Sequence, residues 1–220
     1  MVLLKPAYCL NEEFYMVLVT AITNFCGLPG SINAFYLGDP YLGGLGLFTI
    51  ATSFMYHYTE SIKSEELFLT PGQWHHLDNI GAILSLQALC ICLMDIQESI
   101  TRVTLYWIAL IITLLFQTQA PWALESTLIP IVIAFVALVI KLKIYGTTKS
   151  VNRRCLKKGL GLLLAALVCF AKGIDQPTDF LRIFHGLWHL FCMTSLTFLA
   201  QIYVPEGEEL TLSVFRQRIK

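Results

Sequence analysis

The chain has 220 residues, of which 56% are hydrophobic and 14% are charged, and its mean hydropathy is +0.66. Soluble domains carry about 25% charged residues, so this composition predicts an integral membrane protein and excludes an ordinary soluble domain. The 15 basic and 15 acidic residues cancel, and without a basic tract we expect no nucleic acid partner.

Apolar runs long enough to cross a bilayer, which takes about 20 residues in a helix, recur along the chain. In the first run, Gly27–Gly30 includes a proline that should kink or unwind the helix, and Pro130 interrupts the fifth. We predict seven spans, over residues 14–37, 41–58, 77–94, 102–117, 121–140, 156–171 and 183–204. The expected fold is all-α, an integral membrane bundle of seven transmembrane helices. Because the fourth and sixth runs are short, a count of six stays open.

Lysine and arginine in short loops predict the orientation. The loop between the fifth and sixth spans has no acidic residue and seven basic ones: Lys141, Lys143, Lys149, Arg153, Arg154, Lys157 and Lys158. This loop should be cytoplasmic. With seven spans, the short N-terminal segment 1–13 then faces the lumen or exterior, residues 14–204 form the membrane domain, and the tail 205–220 is cytoplasmic. The expected location is the plasma membrane, the endoplasmic reticulum or the Golgi.

Five polar residues reach a similar depth in this topology. Ser53 and His57 are four apart near the outer end of the second span, and Asp78 should lie in the first turn of the third. His185 and His189, also four apart, lie in the outer half of the seventh. Residues at this spacing share one side of a helix, and ionisable residues inside a membrane are costly and usually functional. The sequence therefore predicts one site built from three helices.

Three imidazoles are a common zinc ligand set that leaves a fourth position for water. Zinc bound by His57, His185 and His189 would lower the pKa of its water to about 7 and polarise a carbonyl. Asp78 would orient that water or act as general base, and Ser53 would hydrogen-bond the carbonyl oxygen or the oxyanion. In the alternative interpretation, the five residues are polar groups that hold helices together.

Other polar residues and the cysteines receive structural interpretations. His75 and His76 are expected at the membrane interface just before the third span, and Asp95 and Glu98 are expected to be solvated at its far end. Most of the seven cysteines lie in apolar runs and behave as packing residues. Cys155, beside two arginines, is a candidate for palmitoylation.

The Ser-x-x-x-His, Asp and His-x-x-x-His pattern resembles the CREST superfamily of seven-transmembrane proteins. This superfamily contains alkaline ceramidases, progestin and adiponectin receptors, a phospholipase acting on GPI-anchored proteins, and myomaker. The segments MYHYTES and LDNIGAILSLQALC are most similar to the myomaker and TMEM-eight-like branch. The resemblance implies three zinc-ligating histidines, with the aspartate and serine completing the site. It also implies hydrolysis of lipid amides or esters, with the substrate tails between the helices.

Two departures from the superfamily concern the termini. The acidic calcium-binding segment of the ceramidases is reduced here to Asn11, Glu12 and Glu13, and the cysteine-rich tail of myomaker is absent, since no cysteine follows Cys192.

A zinc-dependent lipid hydrolase is the first functional hypothesis, with a lipid substrate in the bilayer. The alternative is a non-catalytic receptor or membrane-remodelling factor with structural zinc. Haem ligation and transport are weaker alternatives, and a homo-oligomer stays open.

Overall fold

The chain is helical throughout the part that the structure describes. The computed structural model describes residues 7–173 and 179–205, and no β-strand forms within them. The α-helices are α1 (Ala7–Met16), α2 (Leu28–Tyr36), α3 (Pro40–Ile62), α4 (Pro71–Leu93), α5 (Ser99–Gln119), α6 (Leu124–Tyr145), α7 (Arg153–Gly173) and α8 (Ile183–Leu199). The predicted all-α fold is confirmed. Residues 206–220, nearly all of the predicted tail, and residues 1–6 of the N-terminal segment lie outside the described residues.

Four helical segments are long and apolar enough to cross a membrane: Glu12–Tyr36, α4, α5 and α6. The first is a continuous rod in which a π-helical turn and a 3₁₀ segment join α1 to α2. Together with α3, α7 and α8, these segments follow the seven predicted spans in order. The chain is thus consistent with a multi-pass membrane protein, while the count of seven stays a prediction.

Side chains compete for backbone carbonyls in the first rod. The Thr20 and Thr23 hydroxyls donate to carbonyls four residues earlier, each at 2.7 Å, and Asn24 Nδ2 donates to the Thr20 carbonyl at 2.9 Å. Such bonds disturb regular α-helical pairing, and Pro29 supplies no N–H of its own. Two irregular segments precede Pro29: a π-helical turn, Val17–Ala21, and a 3₁₀ segment, Ile22–Gly27. The sequence predicts a local break in this part of the helix.

Helix α4 begins six residues before the predicted start of the third span. The Gln73 N–H donates to Thr70 Oγ1 at 3.3 Å and the Thr70 N–H donates to Gln73 Oε1 at 2.9 Å, so these residues form a capping box with Pro71 as the first helical residue. Asp78 therefore lies two turns into α4, and its predicted place in the first turn is wrong. The two preceding histidines also lie inside the helix.

Small residues let α8 approach its neighbours closely. A Cβ on Gly186 would collide with the Val19 carbonyl of the first rod, and one on Gly159 of α7 would lie 2.6 Å from Leu199 of α8. Helix α3 packs against α4 and against the first rod. Because α3 and α8 both pack against this rod, their histidine-bearing faces meet.

Buried amides join α4, α5 and α6. Since Pro130 has no N–H, the Ser126 carbonyl one turn earlier lacks its helical donor, and Gln117 Nε2 donates to it instead at 3.1 Å. Gln87 Nε2 donates to the Pro130 carbonyl at 3.1 Å, and the Thr113 hydroxyl donates to Gln87 Oε1 at 2.7 Å. These five residues, here called the amide network, are buried. They let α6 continue through its proline.

The predicted solvation of Asp95 is wrong. This residue follows α4 with a φ of 52° and is only 6% exposed. One carboxylate oxygen accepts from the N–H and hydroxyl of Thr148, each at 2.7 Å, and from the Lys149 N–H at 3.1 Å. The loop after α6 folds over Asp95, because a buried carboxylate needs such partners. Glu98 is exposed, as predicted.

Cys155 is buried rather than accessible at the start of α7. It is 2% exposed and packs in one cluster with Leu89, Leu199 and Ile202. A side chain enclosed in this way favours the packing interpretation over palmitoylation.

Candidate metal centre

Three histidine side chains converge between α3 and α8. His185 Nε2 lies 3.2 Å from His57 Nε2 and 3.1 Å from His189 Nε2. One ring nitrogen of each histidine lies within 4.8 Å of the others. His57 is 0% exposed and His189 is 5% exposed, while His185 is partly buried. The ligand atoms thus point at one another inside the bundle.

The donor set fits a tetrahedral cation. Two imidazole nitrogens bound to zinc at 2.0–2.1 Å lie about 3.3–3.4 Å apart, close to the two nitrogen–nitrogen distances given above. Hydrogen bonding alone explains the cluster poorly, because a neutral Nε2 offers either one N–H or one lone pair. His185 Nε2 meets two other ring nitrogens with that single group. One cation would accept a lone pair from each of the three rings.

Asp179 fixes the beginning of α8 and hence the position of His185. Its carboxylate accepts from the Phe184 N–H at 2.9 Å and from the His185 N–H at 3.0 Å, which satisfies donors at a helix start. A Cβ on Gly173 would lie 3.0 Å from the His185 nitrogen, so α7 also approaches closely here. Asp179 was not among the residues predicted from the sequence.

Glu60 faces the side of the His57 ring that points away from the other histidines. Glu60 Oε2 lies 3.4 Å from His57 Nδ1, somewhat longer than an ordinary hydrogen bond. The Tyr56 hydroxyl donates to Glu60 Oε1 at 3.0 Å. Carboxylates that orient metal-binding imidazoles occupy this position in known metal sites. Glu60 was not predicted as a site residue either, although its position three residues after His57 places it on the same helix face.

Ser53 and Asp78 lie beside the histidines. The Ser53 side chain is buried one turn before His57, and the Asp78 carboxyl lies close enough to both residues to interact with them electrostatically. All five residues predicted from the sequence are therefore brought together. Their catalytic and metal-binding roles stay predictions.

His75 and His76 are not part of the cluster. The His75 ring stacks on Tyr56, with 4.3 Å between centroids and 9° between planes, and contacts Trp122 at 4.7 Å. His76 Nε2 is buried without a hydrogen-bond partner in the described part of the chain. His75 thus covers the Tyr56–Glu60 pair next to the cluster.

A small cavity lies further along the same helices, about one turn from the site residues, and none of the five site residues lines it. Its lining includes Thr49 of α3, Met193 of α8 and Ser85 of α4, and its volume is about 50 Å³. Thr49 and Met193 lie four residues from Ser53 and His189 respectively, on the faces that carry the site. The Thr49 and Ser85 hydroxyls are 2.9 Å apart. A cavity of this volume has room for a few water molecules.

Residues 12–190 match the model of a family described as a protein of unknown function, DUF3522. The match covers most of the chain. The chain belongs to this family. The DUF3522 match contains the four candidate spans and all five site residues, from Ser53 to His189. No curated protein matches the chain.

Proposed function

We propose that this protein is a zinc-dependent membrane hydrolase that cleaves an amide or ester bond of a lipid. The convergence of three imidazole Nε2 atoms beside a carboxylate carries the proposal. Such a set holds zinc and leaves one coordination position for water. His57, His185 and His189 would be the metal ligands. The superfamily resemblance described above supports the same chemistry.

Zinc suits this set better than haem does. In bis-histidine haem the two axial nitrogens lie on opposite sides of the iron, two metal–nitrogen bond lengths apart, with the porphyrin between them. The Nε2 atoms of His185 and His189 are only 3.1 Å apart. Three neutral imidazoles are well suited to zinc among the divalent cations.

Asp78 and Ser53 would carry the proton-transfer chemistry. Bound zinc would supply a water with a pKa of about 7 and a Lewis acid for the substrate carbonyl. Asp78 would orient that water and accept its proton. The buried Ser53 hydroxyl, one turn before His57 on the same helix, would hydrogen-bond the substrate carbonyl oxygen or the developing oxyanion.

A bundle of seven spans is part of the proposal, with the N-terminus in the lumen or outside and the C-terminus in the cytosol. Exposed apolar surface supports membrane spanning by α5 and α6. Both helices expose large apolar side chains along their length, including Trp107, Ile111, Leu115, Val132, Phe135 and Val139. A lipid substrate would approach from the bilayer. The basic loop after α6 supports the orientation.

The second candidate is a non-catalytic membrane protein, a receptor or a membrane-remodelling factor, with structural zinc. The superfamily resemblance described above supports it, because the same superfamily contains the adiponectin receptors and myomaker.

Replacing Asp78 by Asn distinguishes the two candidates. The purified protein should contain about one zinc per chain, and Asp78→Asn should keep this zinc while hydrolysis of ceramides or phospholipids falls at least about 100-fold. Glu98→Gln, at an exposed residue directly before α5, is the matched control. Absence of zinc from the wild type would overturn the proposal. Retained zinc and undiminished cellular function in Asp78→Asn would favour the structural role.

A further inference from the structure

The loop between α3 and α4 ends in a tight turn with two left-handed residues. Glu66 and Leu69 form an antiparallel pair, with N–H to carbonyl distances of 3.2 and 3.1 Å in the two directions. The two residues between them, Leu67 and Phe68, have φ values of 50° and 67°. A two-residue turn with positive φ at both positions strongly favours Asn-Gly. Leucine and phenylalanine are therefore strained here.

The strain is not offset by packing within the described chain. Phe68 is 98% exposed and Leu67 is 62% exposed, so both apolar side chains project outward. Strained backbone that presents exposed apolar groups is a recurrent feature of binding surfaces. We call this pair the apolar tip.

Hydrogen bonds connect the apolar tip to the beginning of a candidate span. Trp74 Nε1 donates to the Glu66 carbonyl at 3.1 Å, and the Ser64 hydroxyl donates to Glu66 Oε1 at 3.1 Å. Phe68 lies three residues before Pro71, the first residue of α4, which is one of the four helices able to cross a membrane. Tryptophans with a polar N–H are typical of the membrane boundary.

We propose that the apolar tip inserts into the lipid leaflet that surrounds this end of the bundle. Lipid is the expected occupant because the tip adjoins the end of a membrane-crossing helix, where acyl chains and headgroups are its neighbours. Lys63 and Glu65, both exposed on the same loop, remain in the headgroup layer, as charged residues near span ends do. Since the loop joins the helix of His57 to that of Asp78, the inserted tip fixes the histidine end at the leaflet.

Tryptophan fluorescence measures insertion directly. We expect Phe68→Trp, in vesicles of phosphatidylcholine brominated on the acyl chains, to add a component quenched severalfold more by bromine than by aqueous iodide. Glu65→Trp, on the same loop, should show the reverse ratio. The wild-type signal of the four native tryptophans is subtracted. If iodide quenches the Phe68→Trp component as strongly as the Glu65→Trp component, the tip lies in water and the proposal is overturned.

A second variant separates insertion from folding. In Leu67→Asn, Phe68→Gly the turn receives its preferred residues, so Tm in detergent should stay equal or rise. The iodide quenching of Trp74 in vesicles should increase, because the loop no longer anchors in the leaflet. A fall in Tm would show that the two side chains stabilise the fold, and unchanged Trp74 quenching would show no anchoring. Either result contradicts the proposal. Neither readout depends on zinc or on hydrolysis.

Discussion

The histidine cluster and the amide network are both buried, but their polar atoms are used in opposite ways. In the amide network, both polar atoms of the Gln87 side chain are bonded and Gln117 Nε2 replaces the donor that Pro130 removes, while Gln117 Oε1 alone has no partner in the described chain. In the histidine cluster, the Nε2 atoms face one another, and the Nδ1 atoms of His57 and His189 make no hydrogen bond in the described chain. A bonded network holds helices together, whereas three converging ring nitrogens that cannot all hydrogen-bond one another indicate a ligand.

Removing two of the three histidines should have the largest effect, because it should abolish metal binding while leaving the amide network intact. In His185→Ala, His189→Ala, two of three nitrogen ligands are lost, and bound zinc should fall from about one per chain to none. Metal content of detergent-purified protein by mass spectrometry measures this. Thr113→Val, within the amide network, is the control and should keep its zinc. Equal zinc in the wild type and the double variant would place the metal elsewhere.

Glu60→Gln tests whether the carboxylate beside His57 supports the metal. The neutral amide removes the charge that orients the imidazole, so zinc should bind about 10–100-fold more weakly. Competition with a chelator of known affinity gives the dissociation constant. Glu65→Gln, exposed on the following loop, should bind zinc as the wild type does. An unchanged constant for Glu60→Gln would show that the 3.4 Å approach of Glu60 to His57 has no role in binding.

Thr113→Val should lower stability without touching the metal. The substitution leaves Gln87 Oε1 buried without its donor, at a cost of roughly 1–3 kcal/mol. Unfolding in mixed micelles measures this change. Thr118→Val is the matched control, because the exposed Thr118 hydroxyl donates only to carbonyls of its own helix. The loss of stability in Thr118→Val should be several times smaller than in Thr113→Val. Equal effects would mean that the Thr113 bond to Gln87 contributes nothing beyond the helix itself.

The sequence predicted those parts of the site that helix geometry determines. The four-residue spacing of Ser53 with His57, and of His185 with His189, places each pair on one helix face. Alternating span directions then bring these faces and Asp78 to one end. The structure has the same grouping. The start of α4 was also readable, since Thr70 and Gln73 have capping-box spacing.

Tertiary contacts decided what the sequence could not. Asp95 is buried because Thr148 and Lys149, more than 50 residues away, close over it. Asp179 reaches α8 because Leu181 and Arg182 adopt left-handed φ values of 52° and 58° and turn the chain back. Leucine and arginine do not favour positive φ, so no local pattern predicts the turn at Leu181 and Arg182. The burial of Asp95 depends on residues distant in sequence and has no local pattern either.

The smallest expected effect is a pH dependence from Asp95. Burial alone would raise the pKa of this carboxyl, but bonds from the Thr148 hydroxyl and from two backbone N–H groups lower this pKa below the usual value of an aspartate. A carboxyl whose pKa is lower when folded stabilises the fold above its unfolded pKa, and this stabilisation disappears as the pH falls through the folded value. Below about pH 4, the wild type should therefore lose at most a few degrees of Tm more than Asp95→Asn does.

Thermal melts between neutral pH and about pH 3 check this difference. Glu98→Gln, with an exposed carboxyl on the same loop, should melt with the wild-type pH dependence. An equally steep loss of Tm in Asp95→Asn would assign the acid sensitivity to other carboxyls. Zinc content should be unchanged in Asp95→Asn at neutral pH, because Asp95 and the histidine cluster lie at opposite ends of the bundle.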